Sequence, residues 1–79
     1  MRYRILYFAS LRDRAGIDAE QIESRSSDAR SLYAELRARH GLVLPAERMR
    51  VAVNGEFASW DHMLADGDEI AFLPPVSGG

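Results

Sequence analysis

The chain has 79 residues, a hydrophobic fraction of 47% and a formal net charge of −2. That allows one small domain (residues 1–79) with an ordinary apolar core, and it gives no reason to expect nucleic-acid or membrane binding. Cysteine and lysine are both absent, which excludes disulfides, thiolate metal sites, a thiol nucleophile and every side-chain amine.

Tyr3-Arg4-Ile5-Leu6-Tyr7-Phe8-Ala9 is aromatic and β-branched in character and reads as a strand. Its near-continuous apolarity predicts cover on both faces. Ser10 to Gly16 turns polar and has room for a helical turn ending near the glycine. Ala19 to Ser24 is a more polar strand, anchored by Ile22 and suited to a sheet edge. Ser26-Ser27-Asp28 is a helix start, with Ser27 or Asp28 as the N-cap. Ala29, Leu32, Tyr33 and Leu36 then follow at i, i+3, i+4 and i+7, which makes one apolar stripe. Arg30, Glu35, Arg37 and Arg39 take the solvent side. Arg37, Arg39 and His40 suit the negative end of the helix dipole, and Gly41 stops the helix.

Leu42 to Arg48 reads as a loop containing Pro45. Arg50 to Val53 is a short strand, and Asn54-Gly55 is the hairpin signal of a type I′ turn. Glu56-Phe57-Ala58 returns. Ser59 to Ala65 is a connection with room for one helical turn, and Asp66-Gly67-Asp68 marks another turn. Glu69 to Leu73 closes the series, with Ile70 and Phe72 on one face and Ala71 and Leu73 on the other. The predicted fold class is α+β: a mixed sheet of about five strands with one main helix across one face. With the last strand beside the first, this is the β-grasp (ubiquitin-like) layout, although element order alone permits other small α+β folds.

Several residues are of types that do chemistry. Ser59, Asp61 and His62 include the residue types of a hydrolytic triad, but a triad is a spatial chain of hydrogen bonds, and no nucleophile-elbow or oxyanion pattern accompanies them. Asp61, Asp66, Asp68 and Glu69 are acidic neighbours with no calcium-loop spacing, so no metal site is expected. His40 and His62 lie too far apart to indicate a site, and read as a charge at the helix end and a turn residue. Trp60 is expected in the core. Phe57, Ala71 and Leu73 are expected to form an exposed apolar patch, the mark of a protein interface.

The C-terminal stretch is Pro74-Pro75-Val76-Ser77-Gly78-Gly79. Two prolines end sheet pairing and favour an extended exit. The four residues after them reach about 13 Å. Glycines at the end pass where a side chain would not. A flexible tail built this way suits insertion into another protein, although glycine-rich termini are also commonly just frayed.

Val51-Ala52-Val53-Asn54, Asp61-His62, Leu64, Asp66-Gly67-Asp68-Glu69-Ile70-Ala71-Phe72 and Pro74-Pro75-Val76-x-Gly78-Gly79 together resemble the sulfur-carrier (small) subunits of molybdopterin synthase, a ubiquitin-like family. Ile5-Leu6-Tyr7-Phe8-Ala9 followed by Leu11-Arg12 is similar too, whereas 19–24 and 42–48 match weakly. The resemblance implies a non-catalytic sulfur donor for molybdenum cofactor biosynthesis in the cytoplasm. By carry-over, Gly79 is adenylated and then thiocarboxylated, Gly78 gives clearance, and Val76 and Ser77 line the partner's channel. Phe57 and Leu73 help dock it. The implied partners are the large catalytic subunit and an E1-like adenylyltransferase, with no nucleic acid and no membrane. No cofactor stays bound; ATP is used by the activating enzyme, and sulfur travels as the thiocarboxylate. Two other readings stay open: a sulfur carrier for thiazole, cysteine or tRNA thiolation, and a β-grasp interaction module that carries nothing.

Overall fold

Alternating side chains and one helical stripe decide this architecture. The structure, a computed structural model, describes residues 1–75. Its elements in chain order are β1 (Arg2–Tyr7), α1 (Ala9–Ala15), β2 (Ala19–Glu23), α2 (Ala29–His40), a 3₁₀ turn (Ala46–Arg48), β3 (Arg50–Val53), β4 (Glu56–Ala58) and β5 (Glu69–Leu73). The five strands form one sheet in the order β2-β1-β5-β3-β4. β1 and β5 run parallel, and the other neighbours are antiparallel. Long connections put the first and last strands side by side, with α2 lying across one face.

The core is the sum of period-2 and period-3.6 patterns. Tyr3, Ile5 and Tyr7 of β1, Val51 and Val53 of β3, and Ile70 and Phe72 of β5 point to the helix side. Ala29, Leu32, Tyr33 and Leu36 meet them from α2, as the stripe predicts. Each fully buried large aliphatic or phenylalanine side chain is worth about 1.5–3 kcal/mol against exposure. α2 begins at Asp28, whose carboxylate accepts from the Ser31 amide (3.2 Å) and hydroxyl (2.6 Å). Those bonds hold the Asp28 carboxyl below its ordinary range. Gly41 ends the helix in the left-handed region at φ 66.

Four expectations need correction. β1 is covered on one face only: Tyr3, Ile5 and Tyr7 are buried, while Arg2 and Arg4 are exposed on the other side. The aromatics that made the run look continuous alternate with arginines, so period 2 wins. Ala9–Ala15 is a seven-residue helix rather than a single turn, held by Leu11, which is buried among the core residues. Ser59 to Ala65 contains no helix; it is pinned to the start of α2. The Ala29 and Arg30 amides donate to the His62 and Trp60 carbonyls (3.2 and 2.9 Å), giving partners to helix donors that have none within the helix. Glu35 is half-buried rather than solvated, because it accepts from the Ser24 and Ser26 hydroxyls. Trp60 is half-buried against the core and stacks on Phe72 at 6.0 Å between centroids.

His40 also departs from the role of a bare helix-end charge. Its Nε2 lies 2.7 Å from Glu20 Oε2, and the Tyr7 hydroxyl donates to the same oxygen at 2.6 Å. The Tyr7 and His40 rings meet edge to face at 5.5 Å. The cluster fastens the end of α2 to β1 and β2. Burial, together with the Glu20 carboxylate, drives the Tyr7 hydroxyl far above its ordinary pKa. Burial also acts to raise Glu20, but the bonds from Tyr7 and His40 outweigh it and hold the carboxyl low.

Candidate functional site: the open sheet face and the root of the tail

Among the described residues, no protein layer covers the face of the sheet turned away from α2. One row of side chains crosses all five strands in register: Ala19 of β2 opposite Leu6, Leu6 opposite Ala71, Ala71 opposite Ala52, and Ala52 opposite Phe57. Three of the five are alanines, so a partner surface can approach the backbone closely between Leu6 and Phe57. Phe57 is 67% exposed, far more than a phenylalanine in a core. Phe57, Ala71 and Leu73 therefore share this face, Phe57 exposed and the other two half-buried; half-buried Leu6 extends the patch, and buried Ala52 forms its floor.

The row beside it, toward the chain's end, is Arg50 opposite Leu73. The Arg50 guanidinium lies 5.1 Å above the centre of the Phe57 ring. Pro74 and Pro75 follow directly, so the tail starts at the margin of the apolar face. On the opposite side the face is edged by charge pairs, Arg4 with Glu69 (3.5 Å) and Arg2 with Glu23 (3.3 Å).

The acidic turn before β5 proves structural. Asp68 accepts from the Ala65 amide (2.8 Å) and from the Asn54 side chain (2.9 Å). Asn54 in turn accepts from the Glu69 amide at 3.0 Å. Asp66 accepts from the Arg2 amide at 2.6 Å. Asn54 and Gly55 have φ 53 and 84, as a type I′ turn requires. The hairpin tip is thus bolted to the start of β5, which fixes how β5 and the tail root are aimed. No group of three or more acidic or histidine side chains among the described residues could hold a metal ion. Ser59, Asp61 and His62 do not assemble into a triad; the Asp61 carboxylate pairs with Arg30 at 3.3 Å instead.

Phe57 and Leu73 are brought together on one face. The expectations for Val76, Ser77, Gly78 and Gly79 fall outside the described residues. The reading from sequence missed Arg50, Leu6 and Ala52; strand register, which sequence does not print, is what places them beside Phe57.

A five-stranded mixed sheet in the order β2-β1-β5-β3-β4 with a long helix across one face defines a ubiquitin-like β-grasp protein. Residues 5–79 match the ThiS family, and the chain belongs to it. It is 38% identical over 79 residues to the molybdopterin synthase sulfur carrier subunit of Escherichia coli strain K12, covering 96% of this chain and 98% of that protein. The crystal structure of SAMP1 from Haloferax volcanii superposes with a TM-score of 0.82 at 27% identity, covering both chains fully. A chain of the complex of subunits 1 and 2 of the molybdopterin-converting factor from Helicobacter pylori 26695 superposes with a TM-score of 0.69 at 28% identity, also over both full lengths. No helix among the described residues is long and apolar enough to cross a membrane.

Proposed function

We propose that this chain is the sulfur carrier of molybdopterin synthesis, a donor subunit and not itself a catalyst. The observation that carries the reading is the continuity of an unpartnered apolar face, through Leu73 and Pro74-Pro75, into a tail ending in Gly78-Gly79. The face docks a partner, and the tail root at Pro74-Pro75 lies at the margin of that face.

The chemistry follows from the terminal group. An α-carboxylate has a pKa of about 3.5, is ionised at neutral pH and is a poor electrophile. An E1-like adenylyltransferase would activate Gly79 with ATP, releasing pyrophosphate and leaving an acyl-adenylate. A sulfur nucleophile then displaces AMP to give the thiocarboxylate. ATP belongs to that enzyme; this chain keeps no cofactor. The loaded terminus enters the large subunit of molybdopterin synthase and gives its sulfur to the pterin precursor (precursor Z, cyclic pyranopterin monophosphate). Phe57 and Leu73 hold the subunits together, Val76 and Ser77 line the channel, and Gly78 passes the narrowest point. A carrier without lysine or cysteine has no side-chain amine or thiol of its own to intercept the activated end.

Intact mass tests the reading. Incubation with the activating enzyme, ATP and a sulfur source should raise the mass by the difference between sulfur and oxygen, and addition of the large subunit with precursor should reverse it. A chain that stays unmodified is an interaction module and not a carrier.

A further inference from the structure

Arg50 stands within the docking face without an acidic partner among the described residues, and we propose that it selects a partner that sets a carboxylate over the cleft at the root of the tail. This rests on the docking role just proposed and adds the chemistry that the docked surface must present.

Three arginines lie on the open face. Arg2 and Arg4 are neutralised within it by Glu23 and Glu69. Arg50 enters no ion pair among the described residues. It sits beside Leu73 in register and over the Phe57 ring. Any surface that covers both Phe57 and Leu73 must therefore cover the guanidinium too. An open cleft of about 650 Å³ lies there, bounded by Met49, Arg50, Phe57, Leu73, Pro74 and Pro75. Arg48 and Glu47 also reach its rim, so its lining is net cationic.

Desolvating an unpaired guanidinium is costly, and a wholly apolar partner surface would meet that cost uncompensated. A carboxylate offsets it, and the planar fork of arginine accepts one through two parallel bonds. Stacking on Phe57 already restrains the side chain, so less freedom is lost on docking. Apolar area supplies affinity here, and Arg50 decides which apolar surface is admitted.

The experiment is calorimetric titration of the full chain with the molybdopterin synthase large subunit of the same organism, at low and moderate salt. Arg50→Leu should stay folded and lose only the few degrees of melting temperature that stacking on Phe57 supplies, yet bind about 30-fold or more weakly. Its Kd should also depend less on salt. Neutralising the opposing aspartate or glutamate on the large subunit should cost the wild type far more than it costs Arg50→Leu, the signature of a direct pair. Equal or tighter binding by Arg50→Leu overturns the proposal, since leucine enlarges the apolar face. Wild-type chain that fails to bind the large subunit removes the docking role itself. Wild-type binding with an indifferent Arg50 removes only the arginine.

Discussion

Phe57→Ala separates the two faces of the sheet most cleanly. An aromatic side chain buries about 150–250 Å² when fully covered. Phe57 is 67% exposed, so roughly 100–170 Å² remains for a partner to cover, worth about 2.5–4 kcal/mol at ~25 cal/mol per Å². Alanine keeps its Cβ contact, which leaves an expected loss of about 2–3 kcal/mol, or ~30–150-fold in affinity. Stability should fall only modestly. The folded chain loses chiefly the stacking of Arg50 on the ring, worth about 0.5–1 kcal/mol at an exposed site. For a domain of this size 1 kcal/mol shifts the melting temperature by about 4–8 °C. Calorimetric titration with the large subunit and a thermal melt of the free chain give the two numbers. Unchanged affinity in a folded variant would refute the docking role of the patch. A collapse in melting temperature would refute the assignment of Phe57 to the open face.

Leu36 is fully buried beneath the sheet, so Leu36→Ala should destabilise by about 2–5 kcal/mol in denaturant melts, and a loss below about 1 kcal/mol would mean that the helix stripe is not the core. Glu20→Gln probes the clasp with Tyr7 and His40. The folded-state pKa of Glu20 is depressed below its ordinary value of 4.5, so its contribution is present above that value and is lost as pH falls through the folded one. Urea melts should therefore show a gap between wild type and Glu20→Gln that is widest near neutral pH and closes in acid; a gap that grows in acid would contradict the sign. Deleting Gly79 should leave stability and docking near normal and abolish sulfur transfer. The shortened end falls about 3.5 Å short, and a 1 Å misplacement alone can cost about 100-fold. Near-normal transfer by the truncated chain would show that the terminus is not the reactive element.

Most of the element order was legible because the local signals were strong. Asp28 with Gly41 bracketed α2, and Asn54-Gly55 marked the hairpin. The alternation from Glu69 to Leu73 assigned Ile70 and Phe72 inward and Ala71 and Leu73 outward. What escaped depended on pairing between distant segments. Glu20, Tyr7 and His40 are remote in sequence and meet only because β2 lies beside β1 and α2 ends above both. Ser59 to Ala65 carries no periodic signal, since its order comes from capping another element. β1 misled because Tyr3, Ile5 and Tyr7 next to Leu6 and Phe8 mimic a run buried on both sides. Asp66 and Asp68 were visible as turn residues, but the bonds from the Arg2 amide to Asp66 and from Asn54 to Asp68 join segments that only the fold brings together. Arg50 was legible as a strand residue and illegible as a site, because only register puts it between Leu73 and Phe57.

An apolar sheet face is ordinarily an invitation to self-association. Here the row across the strands is mostly alanine, so little apolar volume projects except at Leu6 and Phe57. Ion pairs edge one side of the row and Arg50 interrupts the other, so a second apolar surface meets charge before full contact. β4 is only three residues long, and β2 carries Glu20 and Glu23 at the opposite edge, which leaves poor templates for strand addition. Proline then ends pairing at the exit of β5, so the sheet cannot extend into the tail. Stability is thus concentrated under α2, and the proposed docking surface is the other face. Under the proposed function, such a division would let the last residue be adenylated, thiolated and emptied without any change reaching the core. The same division predicts that substitutions at Leu36 and at Phe57 will add independently in stability and in binding, because the two side chains share no contact through the sheet.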